Sequence, residues 1–294
     1  MIRNAMFYLN QNKPSVFDTV RVCAELCRER GIEPIFFEAN REELIEKLGD
    51  EAETARYLPE PEAGTVDMLF VFGGDGTVLQ AARETKKILV PIIGVNLGTV
   101  GYMTEIELSG LEESLDRLIR DDFKKERRMM LNGKVCCADG TVSEGWALND
   151  IVISRSGSLQ IIEFNIYVNG QLLNHYKADG MIVTTPTGST GYNLSAGGPL
   201  VEPKAKLITL TPICPHSLNQ RSIILSPEDE IVIEIPGGRE GKSQTVEANY
   251  DGSHKVTMCT GDRIRIVQSE KITEFIQLNQ VSFLDVLHRK MRDS

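Results

Sequence analysis

Residues Met68-Leu69-Phe70-Val71-Phe72 form an unbroken apolar run that ends in Gly73-Gly74-Asp75-Gly76-Thr77, and Val78, Leu79, Ala81 and Ala82 follow at helical spacing. An apolar run without alternation suits a parallel strand covered on both faces, which needs helices on either side. A strand that turns through glycines into a helix start is a place to hold phosphate: the backbone approaches closely and the first amide N–H groups point at the anion. Asp75 is out of keeping with a plain anion site, because a carboxylate repels such a ligand. It fits if it takes a proton from a hydroxyl or holds a cation that bridges to phosphate. An ordinary tight turn is the competing reading, and the succession of strand, glycines, acid and helix favours the functional one.

The flanking sequence agrees with an α/β layer. Ala5–Leu9 and Pro34–Phe37 read as strands, and Pro91–Val95 as another buried strand. Ser15 is expected to cap a helix running to about Arg30 and closed by Gly31, with Cys23 and Cys27 on its inner face; Asn40 and Glu43 resemble a capping box for a helix ending near Gly49. Residues 51–65 are polar and contain proline, and read as a loop. Ser109 and Glu112 open a helix with Leu111, Leu115, Leu118 and Ile119 inward. Alternating strands and helices predict a parallel α/β domain over residues 1–130.

From Lys134 the texture changes to short β-rich runs, among them a hairpin from Glu163 to Tyr176 around Asn169-Gly170, predicting an all-β domain to about residue 270. Ser282–Arg292 reads as a last helix. With 294 residues, two domains are expected. The formal net charge of −10 argues against nucleic-acid or anionic-membrane partners, so an anionic ligand has to be met by amides, a few local cations and metal. Six cysteines without zinc or redox spacing point to a reduced, cytoplasmic protein, and no apolar run reaches membrane-spanning length.

Two further stretches carry chemistry. Asn149-Asp150 lies between Trp146-Ala147-Leu148 and Ile151-Val152-Ile153; such a pair either forms an Asx turn or hydrogen-bonds adjacent sugar hydroxyls. Residues 179–199 (Asp179-Gly180-Met181-Ile182-Val183, then Thr185-Pro186-Thr187-Gly188-Ser189-Thr190-Gly191-Tyr192-Asn193-Leu194-Ser195) pair a buried-type strand with a loop rich in hydroxyls and glycine. A flexible linker has a similar composition, but Tyr192 and Leu194 in its middle favour a rigid binding loop. The four histidines are scattered, and neither GxGxxG nor GxxxxGK[ST] occurs.

Gly-Gly-Asp-Gly-Thr at 73–77, Asn-Leu-Gly-Thr-Val-Gly-Tyr at 96–102, Asn-Asp at 149–150 and Thr-Pro-Thr-Gly-Ser-Thr-Gly-Tyr-Asn-Leu-Ser at 185–195 together resemble, in order and spacing, the motif set of the NAD kinases. The first motif alone is shared with diacylglycerol kinases, sphingosine kinases and phosphofructokinases. The resemblance implies a Rossmann-like N-terminal domain, a β-sandwich NAD-binding domain over 131–270 and a segment 271–294 that packs back on the first. It implies phosphoryl transfer from ATP, with Mg²⁺ or another divalent ion, to the 2′-hydroxyl of the adenosine ribose of NAD, in a homodimer or homotetramer. Asp75 then stands as the base, with Gly76 beside it and Gly73, Gly74 and Thr77 in the phosphate loop. Asn149 and Asp150 stand as the ribose pair, Lys177 and Asp179 lie near the nucleotide, and Thr187, Thr190, Gly191, Tyr192, Asn193, Leu194 and Ser195 form the adenine and nicotinamide side. Asn249 is a further contact. The metal's ligands are not legible in the sequence. Gly191 replaces a frequent alanine, Asp150 a frequent glutamate, and Gln80 and Gln160 stand where other side chains are common. A lipid kinase of the same superfamily would need an apolar acceptor cleft, which the hydroxyl-rich loop does not suit. A non-catalytic NAD(H)-binding sensor that kept the pocket is a third reading, and the intact Asp75 weighs against it.

Overall fold

In this computed structural model the described residues are 2–10, 12–13, 15–85, 88–98, 101–157, 161–217, 220–238, 241–278 and 282–292. Thr99, Val100 and Gln160 lie outside them. The chain forms two compact units, residues 1–127 with 273–294, and residues 128–272.

The first unit begins with β1 (Asn4–Leu9), α1 (Val16–Glu29), β2 (Glu33–Phe37), α2 (Arg41–Leu48), α3 (Asp50–Glu53) and β3 (Arg56–Leu58). It continues with β4 (Met68–Gly73), α4 (Asp75–Glu84), β5 (Ile92–Asn96) and α5 (Leu111–Ile119). The strands pair in parallel in the order β5-β4-β1-β2-β3. This is the Rossmann-like arrangement, whose order reverses between β1 and β4. Every residue of β4 is buried, as its unbroken apolar run requires. Phe7, Phe36, Phe70 and Phe72 meet in the core with ring centroids 4.9–5.6 Å apart. Each contributes roughly 1.5–3 kcal/mol by burial. Residues 273–278 also belong to this layer: Phe275 pairs with Ile92, and Ile276 and Leu278 are buried in the same core.

Three local expectations are corrected. Ser15 and Asn40 precede their helices but make no side-chain cap bond, because both are already in the helical region and their helices start through backbone turns. Residues 51–65 are not all loop: α3 and the edge strand β3 occupy part of them. Three residues are too few to show a period, and Tyr57 is held there by its ring contact with Phe36.

The second unit takes most of β6 (Lys124–Cys136), then β7 (Val142–Ala147), β8 (Asp150–Arg155), β9 (Ile162–Val168), β10 (Gln171–Ala178), β11 (Gly180–Thr184) and the short helix α6 (Tyr192–Ser195). After it come β12 (Ile208–Ile213), β13 (Ile223–Leu225), β14 (Ile231–Glu234), β15 (Thr245–Tyr250), β16 (His254–Cys259) and β17 (Arg263–Gln277). One sheet has the order β13-β12-β11-β8-β15-β16; β10-β9-β14-β17 lie in the other, with β6 and β7 attached. Their inner faces share one core, with Ile151, Ile153, Phe164, Met181, Val183, Ala248 and Tyr250 at its centre. The β9–β10 turn places Asn169 and Gly170 at φ 51° and 78°, as an Asn-Gly hairpin demands. The chain closes with α7 (Phe283–Arg292) in the first unit. No helix among the described residues is long and apolar enough to cross a membrane.

Candidate active site

Open α/β sheets bind ligands at the carboxyl ends of their strands where the order reverses. Here that point lies between β1 and β4, and it carries Gly73–Thr77. Asn10, just after β1, donates from its backbone N–H to the Phe72 carbonyl (3.1 Å) and from Nδ2 to Thr77 Oγ1 (3.2 Å). Gly73 has no room for a side chain, since a Cβ would stand 2.2 Å from Thr77 Oγ1. Gly74 and Gly76 carry no such constraint and leave the first turn of α4 open.

Asp75 is the first residue of α4 and half-buried. Its Oδ2 accepts the Tyr102 N–H at 2.9 Å and its Oδ1 the Met103 N–H at 2.9 Å. Gly101 makes this grip possible: a Cβ there would lie 2.1 Å from Oδ1. Residues 101–106 are in turn bound to β5, with Glu105 and Ile106 donating to the Gly94 carbonyl. The first two sequence motifs thus meet, the second fixing the acid of the first.

In the second unit the signal is what remains unbonded. Asp251, at φ 48°, accepts the backbone N–H groups of Leu148, Asn149 and Asp150 at 2.8, 2.8 and 3.1 Å. Thr185 donates Oγ1–H to the Leu148 carbonyl, and its N–H and the Thr184 hydroxyl both go to the Asn149 carbonyl. The Asn149-Asp150 backbone is therefore saturated. The side chains are not: Asn149 Oδ1 is buried with no partner, and beside it Asp150, a residue 6% exposed, brings a carboxyl whose surroundings are apolar burial and the Asp251 charge. Burial, reinforced by the Asp251 charge, pushes the Asp150 carboxyl up to about 7. A buried acceptor left unpaired is costly, and it marks a position awaiting a donor.

The buried polar side chains of the loop after β11 have protein partners. Ser189 and Asn193 are fully buried; Ser189 exchanges hydrogen bonds with Val201, and Asn193 donates to the Ser189 and Pro199 carbonyls and accepts from Thr211. Asn193 is thus built into the loop's framework. Thr187 is buried and accepts from Arg128, and Thr190 donates weakly to the Thr187 carbonyl. Tyr192, Leu194 and Ser195 are exposed. At Gly191 a Cβ would meet only ordinary contacts, 3.4 Å from the Gly188 carbonyl and 3.5 Å from Asn149 Nδ2, so alanine fits there.

Strand register places Asn249 opposite Val152, on the sheet face that also carries Asp150 and Thr184. Lys177 and Asp179 are elsewhere. They precede β11, and Thr184 ends it, so Asp179 is roughly 17 Å from Thr184 at about 3.3 Å per residue. Lys177 is paired with Glu163 at 2.9 Å, and Asp179 stands 3.9 Å from Arg155. Sequence reasoning missed Asn10, Arg128, Asp251 and Glu163; each is a lone polar residue whose partners are distant in sequence.

Among the described residues no three acidic, histidine or cysteine side chains form a metal-binding group. A divalent ion held by one carboxylate and the phosphates of its nucleotide needs no such cage, and Asp75 fits that mode.

Family models give the chain two matches, the ATP-NAD kinase N-terminal domain over residues 6–123 and the ATP-NAD kinase C-terminal domain over residues 148–278. The NAD kinase of Lachnospira eligens is 43% identical over 97% of this chain and 99% of its own. Among solved structures, yeast NADH kinase complexed with NADH matches the fold with a TM-score of 0.89 at 24% identity, over 99% of this chain and 88% of that one. An Archaeoglobus fulgidus NAD kinase in complex with ATP matches at 0.73 and 26% identity over 99% of each chain. On this agreement across both units, the chain belongs to the NAD kinase family.

Proposed function

We propose that the protein transfers the γ-phosphoryl group of ATP to the 2′-hydroxyl of the adenosine ribose of NAD, giving NADP. One observation carries the acceptor side: Asn149 Oδ1 is a buried acceptor without a donor, and the neighbouring Asp150 is buried with its carboxyl pushed up by that burial. A ribose diol supplies two O–H donors to such a pair. Tyr192 and Leu194, exposed beside Asn193, offer apolar surface for a base, and Asn249 lies on the same face as Asp150.

The P–O bond to the leaving ADP breaks as the bond from the ribose 2′-oxygen forms, and the hydroxyl proton passes to Asp75 and then to solvent. The transition state of phosphoryl transfer is loose, so positioning outweighs proton abstraction. The two amides that hold Asp75 serve that positioning. A divalent ion bound with ATP supplies charge neutralisation on the phosphates. Lys177 and Asp179, a strand's length from the ribose pair, are assigned to a nucleotide on a neighbouring protomer, which requires a homo-oligomer; sedimentation velocity finding only monomer removes that assignment.

The direct test incubates the protein with Mg-ATP and NAD and detects NADP with an NADP-specific dehydrogenase. Wild type is expected to form NADP, and Asp75→Asn to retain NAD binding while losing about 10²- to 10⁴-fold in kcat. A near wild-type rate in Asp75→Asn excludes this acid from the reaction.

A further inference from the structure

We infer that Tyr102 is a positioning residue for Asp75, and that α7 holds it in place: the helix acts on the reaction through a tyrosine ring whose own backbone N–H binds the acid. The inference rests on the role proposed for Asp75 and adds a specific chain of contacts. Tyr102 is at once ring and tether. Its N–H and that of Met103 bind the two oxygens of Asp75. Its ring lies against Phe283, centroids 5.9 Å apart at 38°, and beneath Lys290 Nζ at 4.9 Å. Phe283 and Lys290 are seven residues apart, two helical turns, and so lie on one face of α7. Both reach the same ring.

The rest of the segment cannot substitute for this grip. Gly101 has to lack a side chain to let Asp75 approach. Gly94 is similarly confined, a Cβ there standing 2.8 Å from the Met103 carbonyl. Before α7, Leu278 donates its N–H to Glu105 at 2.8 Å, so the returning chain is bound to the same segment at a second point. The tyrosine contributes through its ring face, and phenylalanine is the conservative replacement.

The experiment compares wild type with Tyr102→Leu, Tyr102→Phe and Phe283→Ala, and with Asp75→Asn alone and combined with Tyr102→Leu. Steady-state phosphorylation of NAD by Mg-ATP is measured together with amide hydrogen exchange over residues 101–104. Tyr102→Leu and Phe283→Ala are expected to lower kcat about tenfold with KM for NAD and ATP within twofold, and to speed exchange at Tyr102 and Met103 at least tenfold. Tyr102→Phe is expected to behave as wild type. In the Asp75→Asn background, Tyr102→Leu is expected to cost nothing more. An unchanged kcat, unchanged exchange, or an equal loss in the Asp75→Asn background overturns the inference. Phe283→Ala, on a helix with no fully buried residue, keeps the test open if Tyr102→Leu does not fold. Exchange needs no turnover, so a wild-type chain that makes no NADP sinks the proposed activity and leaves this coupling separately decided.

Discussion

At the scale of single residues, Asp150 sets function against stability. Its folded-state value of about 7 stands above the ordinary 3.8, because burial and Asp251 disfavour the charge. The protonated form therefore favours the folded chain. That contribution is fully present below pH about 3.8 and is lost as pH rises to about 7. Asp150→Asn, which removes the charge, should be more stable than wild type at pH 8, and the gap should close near pH 4, as thermal unfolding at the two pH values will record. Ligand binding runs the other way. Hydroxyl donors favour the carboxylate, so NAD binding should release a proton, and affinity should rise with pH below 7 by up to about tenfold per unit. Titration calorimetry in buffers of different ionisation heat measures that proton, and Asp150→Asn should abolish it. Glycines divide equally plainly. Gly191→Ala should keep activity and gain roughly 0.4–1 kcal/mol through the unfolded state, whereas Gly188→Ala would place a Cβ 2.4 Å from both the Asn149 carbonyl and Thr184 Oγ1 and should unfold the loop.

At the scale of elements, the loop from Thr185 to Pro199 looks in sequence like a row of ligand-binding hydroxyls, and in the fold four of them are tied up by protein partners: Thr185 by Leu148, Thr187 by Arg128, Ser189 by Val201 and Thr190 by the Thr187 carbonyl. Asn193→Ala would leave the Ser189 and Pro199 carbonyls without their Asn193 donor and the Thr211 hydroxyl with Ser222 alone. About 2–4 kcal/mol of stability should go with it, together with a raised KM for NAD; denaturant unfolding and steady-state kinetics check the two. A motif marks such a loop without saying which hydroxyls face outward, since that depends on partners outside it such as Arg128 and Leu148, which lie far from it in sequence. Strands were legible where they carried a long apolar run or an Asn-Gly turn, as β4 and the β9–β10 hairpin did. Short edge strands such as β3 and β13 were not, because three residues show no period and the partner strand holds them. The grip on Asp75 was equally hidden: the 96–102 motif was visible as a glycine-containing stretch, but that its amides close on Asp75 follows only from the pairing of β4 with β5.

At the scale of the molecule, the two units have separate cores but unequal independence, because the first is completed by residues from the end of the chain. Ile276 and Leu278 are buried in the first core, and Phe275 extends its sheet beside Ile92. Glu274, 5% exposed at its side chain, is bonded by Arg127 at 2.9 Å and approached by Lys125 at 3.5 Å. Ending the chain after Ile272 removes all of these. Losing two buried aliphatic side chains alone costs roughly 2–5 kcal/mol each, comparable with the whole stability of a domain. The second unit loses nothing from its core, since Ile264 and Ile266 remain within residues 128–272. A 1–272 chain should therefore show one cooperative calorimetric transition from the second unit, rapid amide exchange across β1, β4 and β5, and no NADP formation. Protection of β4 at the wild-type level in that chain would mean that the first core closes without the returning segment, and α7 would then act on Asp75 as an appendage to an already folded layer and not as part of what folds it.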